Sequence, residues 1–384
     1  MASPAPRPPT NSPRLLLLCE YPTVSGGEQS MLSTIPFVEQ AGFSVTVACP
    51  QSGPLATRLG ELQVDHIPFD TQTSGGQRFP QNESRQQLRS LLVREKPDLL
   101  HANSLSTGRL SGPVAADLGI PSVAHLRDIV GLSRRAVADL NQHRRLLAVS
   151  EATRDFHLGQ GVSAARTFVL HNGVDLQHFR PGTERTWLRN QLELPPSSGL
   201  VVTVGQIGLR KGHDVLVDAA IRVSAELPHV HWLVVGERFS QKDESRQFEA
   251  DLHEAAGGPL GGQMHLLGWR DDVDRILREA DLLVHASRQE PLGRVLLEAA
   301  ASGLPVVATD VGGTREIFPS EDEGAILVPA GDAPALAEAI VRVLADEAVR
   351  KSLARAIRRR AEAAFDLPLA AANLVEHYRQ VLQG

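Results

Sequence analysis

The stretch 281–309 constrains the fold of this chain more than any other. Residues 281–286 form an apolar run with the length and branching of a buried strand, and 305–308 have the same character. Between them, Pro291 suits a first helical position, leucines and alanines favour a helix interior, and Gly303 suits a left-handed helix end. A strand, a helix and a second buried strand in succession predict a parallel sheet.

Two acids flank the start of the predicted helix. Glu290 falls at the carboxyl end of the first strand, where open α/β sheets bind ligands, and Glu298 lies about 12 Å further along the helix axis. The backbone N–H groups near Leu292, Gly293 and Arg294 lie between them, and together with the helix dipole they predict an anion site. A carboxylate on each side of a phosphate cradle suits a sugar nucleotide.

A simpler reading of Glu298 is an exposed ion pair with Arg294 one turn earlier, worth about 0.3–0.5 kcal/mol. The leucines and alanines around Glu298 predict burial instead. A buried carboxylate needs hydrogen-bond donors, and ribose hydroxyls would supply them.

The wider motif carries a family resemblance. Glu290-x7-Glu298, with Pro-Leu-Gly after the first acid and Ala-Ser-Gly-Leu-Pro-Val-Val after the second, resembles the signature of family 4 retaining glycosyltransferases of the GT-B fold. The resemblance implies an α/β protein with two facing Rossmann-like parallel-sheet domains and a C-terminal crossover helix. It also implies transfer of a hexosyl-type residue from a nucleoside-diphosphate sugar to a hydroxyl acceptor. No metal or other cofactor is expected, because fixed cations and backbone N–H groups would take the place of a metal ion. Glu290 would hold hexose hydroxyls and Glu298 the ribose.

Length and composition agree with two domains. A chain of 384 residues exceeds one ordinary domain, and alternating strand and helix patterns occur in both halves. The predicted organisation is a disordered tail at 1–13, an N-terminal Rossmann-like domain on the acceptor side at 14–180, a linker at 181–198, a donor-binding Rossmann-like domain at 199–366, and a helix at 367–384 that returns to the N-terminal domain. A net charge of -6 argues against nucleic-acid binding by the chain as a whole, which leaves a local basic face as the alternative.

The cysteine content and hydropathy indicate a cytoplasmic protein. Cys19 and Cys49 fall in predicted core strands, which favours reduced, buried thiols, and no Cys/His cluster has zinc spacing. No apolar run approaches the roughly 20 residues that span a bilayer. Basic residues crowd 342–360, where a solvated helix face is the first interpretation and peripheral contact with the inner membrane surface the second.

Two features of the N-terminal half are candidate site elements. Gly26 and Gly27 open a helix after the first strand without forming the dinucleotide fingerprint. They are read either as a generic turn or, through the resemblance, as the loop that lets backbone approach the donor phosphate. The segment 71–81, rich in Gly, Gln and Ser, predicts a mobile loop beside the cleft.

A cluster of polar residues follows each of three predicted strands. The three clusters begin at His101, His125 and Ser150. A lone histidine is more often structural than catalytic, but the three clusters share the ligand-binding edge of one sheet. The resemblance implies that His125 contacts the donor sugar near the reacting carbon. Arg127 and Asp128 are weaker candidates, since they could pair with each other.

The C-terminal half supplies the candidate phosphate ligands. Lys211, with glycines at the start of a helix, is a diphosphate ligand by chemistry and by resemblance, although an Arg-Lys pair is usually solvated. Gln206 stands where the family pattern has an arginine, and Arg210 is the candidate substitute.

A loop in the same half is the candidate nucleotide-binding element. Gly268, Trp269 and Arg270 match the loop whose backbone reads the base, with core packing of Trp269 as the alternative.

The leading hypothesis is therefore sugar transfer, with Glu290, Lys211 and His125 at the reacting centre. The partners would be a nucleotide-sugar donor and a carbohydrate, lipid-linked or small-molecule acceptor. Two alternatives share the architecture: a sugar-nucleotide epimerase, and a non-catalytic nucleotide-sugar-binding protein suggested by Gln206.

Overall fold

The computed structural model describes residues 12–73, 75–182 and 186–384, and these divide into two compact units. The first unit takes in the described residues up to Gly173 together with Leu367–Gly384, and the second is Val174–Asp366. The predicted disordered tail lies outside the described residues except for its last two positions.

The first unit contains a seven-stranded parallel sheet. Its strands are β1 (Arg14–Leu18), β2 (Ser44–Cys49), β3 (Asp65–Pro68), β4 (Leu99–Ala102), β5 (Ser122–Leu126), β6 (Arg145–Ala148) and β7 (Thr167–Val169), in the order β3-β2-β1-β4-β5-β6-β7. The helices between them are α1 (Gly26–Gln40), α2 (Pro54–Glu61), α3 (Gln81–Glu95), α4 (Leu105–Asp117), α5 (Arg134–Leu140) and α6 (Glu151–Leu158).

Both faces of this sheet are buried, as its sequence pattern predicts. Leu15 and Leu17 of β1 pack in one hydrophobic cluster, and Leu16 and Leu18 pack in another on the opposite face. Alternate residues of a strand point to opposite faces, so an unbroken leucine run requires apolar cover on both sides.

The second unit contains a six-stranded parallel sheet. Its strands are β8 (Gly199–Val204), β9 (Val230–Val235), β10 (Met264–Gly268), β11 (Leu282–His285), β12 (Val306–Thr309) and β13 (Ala325–Val328), in the order β10-β9-β8-β11-β12-β13. The helices are α7 (Trp187–Gln191), α8 (His213–Glu226), α9 (Asp243–Gly257), α10 (Val273–Glu279), α11 (Arg294–Ala301), α12 (Thr314–Ile317), α13 (Ala333–Ala345) and α14 (Glu347–Ala364). The last helix, α15 (Leu367–Gln383), packs against α1 of the first unit.

The strand order reverses once in each sheet, between β1 and β4 and between β8 and β11. At such a switch point the loops after two neighbouring strands diverge and leave a crevice at the carboxyl edge, which is where α/β sheets bind ligands. The two parallel Rossmann-like sheets confirm the predicted fold class.

Some local predictions differ from the structure. The helix predicted to start at Pro291 begins at Arg294, because Gly293 has a φ of +98°, which is outside the helical range. Gly303 ends that helix with a φ of +65°, as predicted. The predicted linker lies within the second unit, and its described part contains α7 with Arg189 buried against Asp281.

Two further observations concern the cysteines and the helices. Cys19 and Cys49 are free and buried, which confirms their predicted state.

Among the described helices, we find none with the length and apolar content that a bilayer span requires.

Candidate functional site

The predicted site residues of the second unit meet at its switch point. Lys211 ends a short 3-10 turn (Leu209–Lys211) that follows β8, and Glu290 follows β11. Although 79 residues separate them, Lys211 Nζ lies 2.5 Å from Glu290 Oε2 because β8 and β11 are neighbours in the sheet. Both side chains are largely buried, so this pair is shielded from bulk water.

Glu290 is held by a second group, His285, which the sequence motif does not include. His285, the last residue of β11, places its Nε2 2.8 Å from Glu290 Oε2 and 2.9 Å from Ser287 Oγ. Burial alone would raise the pKa of Glu290, but Lys211 and His285 together hold it well below its usual range. Burial and the charge of Lys211 lower the pKa of His285. The centre therefore contains a fixed carboxylate beside a fixed ammonium.

The backbone between Glu290 and α11 provides hydrogen-bond donors. Within the described residues, the N–H groups of Leu292 and Gly293 have no recorded hydrogen-bond acceptor. A Cβ on Gly293 would lie 2.7 Å from Leu296 Cδ1 and 3.2 Å from Glu290 Cγ, so only glycine fits here without displacing its neighbours. Free N–H groups at a helix start can bind an anion such as phosphate. Leu292 itself is buried and anchors this segment.

Glu298 forms the ion pair with Arg294 that the simpler reading predicts, but the pair is mostly buried, as the surrounding leucines and alanines predict, and not exposed. Arg294 Nη2 donates to Glu298 Oε1 at 2.6 Å, one helical turn away, and both side chains are mostly buried. Its assignment to ribose stays a prediction, and it requires this carboxylate to accept hydrogen bonds beyond the one from Arg294.

Arg210 and Gln206 lie on the same edge of the sheet, and both are exposed. Arg210 Nη1 donates to the carbonyl of Gln289 at 3.2 Å, one residue before Glu290. Arg288 braces the loop through a two-point contact with Asp214, at 2.7 and 2.6 Å. Arg210 therefore lies close to Glu290 and can add positive charge to the site. Gln206 is uncharged and cannot do so.

The predicted base-reading loop begins at Gly268, the last residue of β10. Gly268 has a φ of +66°, and the N–H of Trp269 donates to Glu237 Oε1 at 3.2 Å. The side chain of Trp269 is 61% exposed, which rules out the core-packing alternative. Arg270 forms a two-point ion pair with Asp272 at 2.8 and 2.6 Å.

In the first unit, His125 belongs to a buried hydrogen-bonded chain. Tyr378 of α15 lies with its hydroxyl 2.6 Å from His101 Nδ1, and His101 Nε2 lies 2.8 Å from His125 Nδ1. Arg127 Nη2 also points at His125 Nδ1, at 3.2 Å. All three members of the chain are less than 4% exposed.

The contact with Arg127 fixes the direction of this chain. A guanidinium can only donate, so His125 Nδ1 is the acceptor and the ring proton lies on Nε2. His101 then donates from Nε2 and accepts from the Tyr378 hydroxyl at Nδ1. Burial, with the charge of Arg127 second, lowers the pKa of His101 to about 3 and holds the pKa of His125 well below its usual range. His125 is therefore neutral and presents an N–H donor at Nε2.

Gly26 and Gly27 lie at the start of α1 beside Arg127. A Cβ on Gly27 would lie 3.0 Å from Arg127 Cδ, so the glycine lets the guanidinium stem pass close to the helix start. Arg127 reaches Asn103 and Asn172 at 2.9 and 3.1 Å. These amide oxygens hold the guanidinium, and the charge of Asp128, its predicted partner, also acts on it.

The third polar cluster has a structural role. Ser150 accepts a hydrogen bond from the N–H of Thr153 and caps the start of α6. Of the segment 71–81, residue 74 lies outside the described residues, while Gln72 and Arg78 form an isolated antiparallel bridge.

Replacing Tyr378 with phenylalanine is expected to lower the free energy of unfolding by about 1–3 kcal/mol, since His101 Nδ1 loses its donor inside the core. The ring contact with Phe43, at 5.6 Å between centroids, is kept. Urea denaturation measures the effect. Tyr21→Phe is the matched control: Tyr21 is exposed and the hydrogen bond that its hydroxyl accepts from Arg78 lies at the surface, so the change in stability should be less than about 0.5 kcal/mol. Equal effects in the two variants would contradict the proposed chain.

A buried histidine outside the site predicts acid sensitivity. His143 contacts Ser122 and Gly108, both at 2.9 Å, and burial lowers its pKa to about 4 despite the hydrogen bond to the Gly108 carbonyl. The unfolded chain takes up this proton below about pH 6.5, whereas the folded chain takes it up only near pH 4. The stability that comes from keeping His143 neutral in the core is therefore fully present above about pH 6.5 and is lost as the pH falls below that value. Between pH 7 and pH 5 the free energy of unfolding should decrease by about 2 kcal/mol for this reason.

Urea unfolding at both pH values, in wild type and in His143→Gln, measures this contribution. The variant should lose about 2 kcal/mol less between the two pH values, and the exposed His253→Gln should behave as wild type. An identical pH dependence in all three proteins would contradict the assignment.

Sequence reasoning missed His285, Ser287 and Tyr378. His285 gave a weak signal, because an imidazole in an otherwise apolar strand needs a polar partner. Tyr378 gave none, since 277 residues separate it from His101. Across the described ranges, no three His, Cys, Asp or Glu side chains form a cluster suited to a metal ion.

Comparison with known proteins identifies two matching families. Residues 24–178 match the family described as Glycosyltransferase Family 4, and residues 198–346 match Glycosyl transferases group 1. A D-inositol 3-phosphate glycosyltransferase from Catenulispora acidiphila is 30% identical over 316 residues, covering 75% of this chain and 73% of its own. The UDP-Gal:alpha-D-GlcNAc-diphosphoundecaprenol alpha-1,3-galactosyltransferase of Escherichia coli is 26% identical, over 85% of this chain and 86% of its own.

Solved structures share the fold. Anabaena HepE in complex with UDP superposes with a TM-score of 0.83 at 24% identity, covering 96% of this chain and all of the other. The same protein with UDP-glucose gives a TM-score of 0.84 at 22% identity, over 96% of this chain and 99% of the other.

Proposed function

Because the chain belongs to the group 1, family 4 glycosyltransferases, we propose that it transfers a hexosyl residue from a UDP-sugar to a hydroxyl acceptor with retention of configuration. The observation that carries this proposal is the Lys211–Glu290–His285 centre beside the N–H groups of Leu292 and Gly293. The UDP donor is suggested by the relatives, whose names mention UDP-galactose, UDP and UDP-glucose.

The centre suits a reaction that releases a diphosphate. Breaking the bond between the sugar and the phosphate places negative charge on the leaving group. Lys211 and the N–H groups before α11 would stabilise that charge as it develops, and Arg210 would add to their field. These donors are fixed by the fold before the substrate binds, so little reorganisation accompanies the reaction.

Glu290 would orient the transferred sugar. Its carboxylate is ionised at neutral pH and can accept hydrogen bonds from hexose hydroxyls. On the first unit, the resemblance assigns His125 to the donor sugar, where its Nε2–H would donate to a sugar oxygen. Glu298 would accept from the ribose, and the loop at Gly268, Trp269 and Arg270 would contact the base.

The reaction is proposed to need no metal ion, since a fixed ammonium and backbone N–H groups supply positive charge to the diphosphate. Transfer after treatment with EDTA should therefore proceed at the untreated rate. The release of UDP with and without added Mg²⁺ or Mn²⁺ measures this. A loss of more than about tenfold that either metal restores would overturn this part of the proposal.

The donor is tested by thermal shift with UDP-, GDP- and ADP-sugars. A rise in melting temperature confined to UDP-sugars is expected, and the bound donor is then used for transfer. Proton NMR of the product reports its anomeric configuration, and Glu290→Gln should slow transfer while the protein stays folded. Donor isomerised without UDP release would indicate an epimerase, and binding without transfer or hydrolysis would indicate a binding protein.

A further inference from the structure

A cavity of about 390 Å³ lies wholly within the second unit. Its lining includes Ala280, which comes just before β11, and Leu304, which comes just before β12. Lys211 and Glu290, in contrast, come after strands β8 and β11. Because β8, β11 and β12 are parallel, the cavity lies at the amino edge of the sheet and the site described above lies at the carboxyl edge. The cavity shares no residue with that site.

The arginine-rich segment 342–360 contributes to this cavity. It contains seven basic residues, and five of them contact a carboxylate or a backbone carbonyl, namely Arg342, Arg350, Lys351, Arg358 and Arg360. The other two, Arg355 and Arg359, have no recorded hydrogen bond or ion pair within the part of the chain that the structure describes. Both of them line the cavity.

The spacing of Arg355 and Arg359 favours a shared anion. They lie four residues apart on α14, which places their side chains on one face of the helix. Like charges at this spacing repel each other and destabilise a helix. An anion bound by both guanidinium groups would relieve that repulsion, and a phosphate is a good partner for such a pair.

The other two arginines of the lining are already neutralised. Arg278 forms an ion pair with Asp274, and Arg358 Nε lies 2.6 Å from Glu362 Oε1. Neither of these acids lines the cavity, and the lining contains no acidic residue among the described positions. The cavity therefore has an excess of two positive charges, those of Arg355 and Arg359.

A buried hydroxyl supplies a second, independent sign of a ligand. Ser302, at the end of α11, lines the cavity and is only 5% exposed. Its Oγ has no hydrogen-bond partner within the described residues. Buried polar side chains are almost always hydrogen-bonded, so an unsatisfied hydroxyl beside a positively charged cavity indicates a ligand that accepts a hydrogen bond.

We propose that this cavity binds a phosphate monoester, with Arg355 and Arg359 pairing with the phosphate and Ser302 donating a hydrogen bond to it. The inference is independent of the proposed transfer reaction. A phosphate monoester carries close to two negative charges at pH 7, which matches the two arginines. Leu277 and Leu304 add apolar surface to the lining, which suits the organic group of the ester.

Charge and shape argue against other ligands. A cation would be repelled, and a carboxylate would balance only one of the two arginines. An apolar molecule would leave the hydroxyl of Ser302 unsatisfied. A flat membrane surface could meet the exposed arginines, but it could not reach a buried hydroxyl inside a cavity. The volume is many times that of one water molecule, about 30 Å³, so an organic group fits beside the phosphate.

Ligand-observed NMR titration of the full chain at about pH 8 tests the proposal, because a phosphate monoester is a dianion there. The probes are phenyl phosphate, benzoate and phenol, which share one ring and differ in charge. The variants are Ser302→Ala and the double substitution Arg355→Gln with Arg359→Gln. Arg222→Gln is the matched control, since Arg222 is an exposed arginine of α8 that is not part of the lining.

Phenyl phosphate should bind wild type at least about tenfold more tightly than benzoate, and phenol should not bind. The double substitution should weaken the binding of phenyl phosphate at least about tenfold, and Ser302→Ala at least about threefold. Arg222→Gln should bind like wild type. Lys211→Ala should also keep this affinity, because Lys211 lies at the other edge of the sheet. Melting temperatures without ligand check that every variant is folded.

Two sources of the phosphate are separated by co-sedimentation with vesicles of phosphatidylcholine and phosphatidic acid. Vesicle binding that the double substitution abolishes, together with binding of phenyl phosphate, would identify a lipid headgroup as the ligand. Binding of phenyl phosphate without vesicle binding would identify a soluble ester.

Four results would overturn the inference. They are no binding of phenyl phosphate to wild type, equal binding to wild type and the double variant, loss of binding in Lys211→Ala alone, and vesicle binding without binding of phenyl phosphate. The third would place the phosphate at the Lys211–Glu290 centre, and the fourth would show that only a charged face is recognised. A failure of the proposed transfer reaction would be seen separately, as missing thermal shifts with nucleotide sugars while phenyl phosphate still binds.

Discussion

Replacing Lys211 with alanine is expected to lower the rate of sugar transfer by about 10²–10³-fold, the usual effect of removing one fixed donor to a developing negative charge. The ammonium lies 2.5 Å from Glu290 in a shielded position, where an electrostatic interaction is stronger than it is in water. The measurement is UDP release at saturating donor and acceptor, together with the melting temperature of the variant.

Two further variants separate charge from folding. Lys211→Arg keeps the positive charge and should recover part of the lost rate. Lys351→Ala removes an exposed lysine paired with Glu347 and should leave the rate unchanged. If Lys211→Ala is folded and transfers sugar at the wild-type rate, the proposed stabilisation of the leaving group is wrong.

Replacing Gly212 with alanine is expected to have the largest effect on stability, about 3 kcal/mol or more. Gly212 precedes α8 with a φ of +67°, and a Cβ there would lie 2.0 Å from the carbonyl oxygen of Ala286. A real Cβ cannot approach an oxygen so closely, and the obstacle is backbone next to β11, which cannot rotate away. The backbone must therefore shift, adding to the cost of a left-handed conformation for alanine.

Gly119→Ala is a matched control for this prediction. Gly119 also has a φ of +67°, but nothing lies within 4 Å of a Cβ built there. Its substitution should cost about 1 kcal/mol from backbone strain alone. Urea denaturation of both variants measures the difference, and equal losses of stability would show that the close approach to Ala286 does not matter.

Both predictions concern the same physical feature of the second sheet. Gly212 lets the loop after β8 lie against the end of β11, and that approach places Lys211 beside Glu290. A shift of the backbone at Gly212 would therefore also displace the ammonium. We expect Gly212→Ala, where it folds, to lose transfer activity as well as stability.

The amino-acid sequence determined the architecture and much of the local structure. The strands β11 and β12 occur where the apolar runs at 281–286 and 305–308 predict them, and the glycine at position 303 ends its helix as expected. These features depend on residues that are close in the chain, because strand and helix periods and helix ends are local properties. The motif around Glu290 and Glu298 was likewise readable, since its spacing is contained in one short segment.

The tertiary structure alone decided which groups meet. The partners of Glu290 are 79 and 5 residues away, and the hydroxyl that reaches His101 comes from the last helix. The exposure of Trp269 and the pairing of Glu298 were likewise settled only by the tertiary structure. In the sequence, Trp269 could belong to the nucleotide-binding loop or to the core, and Glu298 could pair with Arg294 or stay available to a ligand. Side-chain partners depend on which strands are neighbours in the sheet, and strand order is a property of the whole fold, which no local pattern encodes.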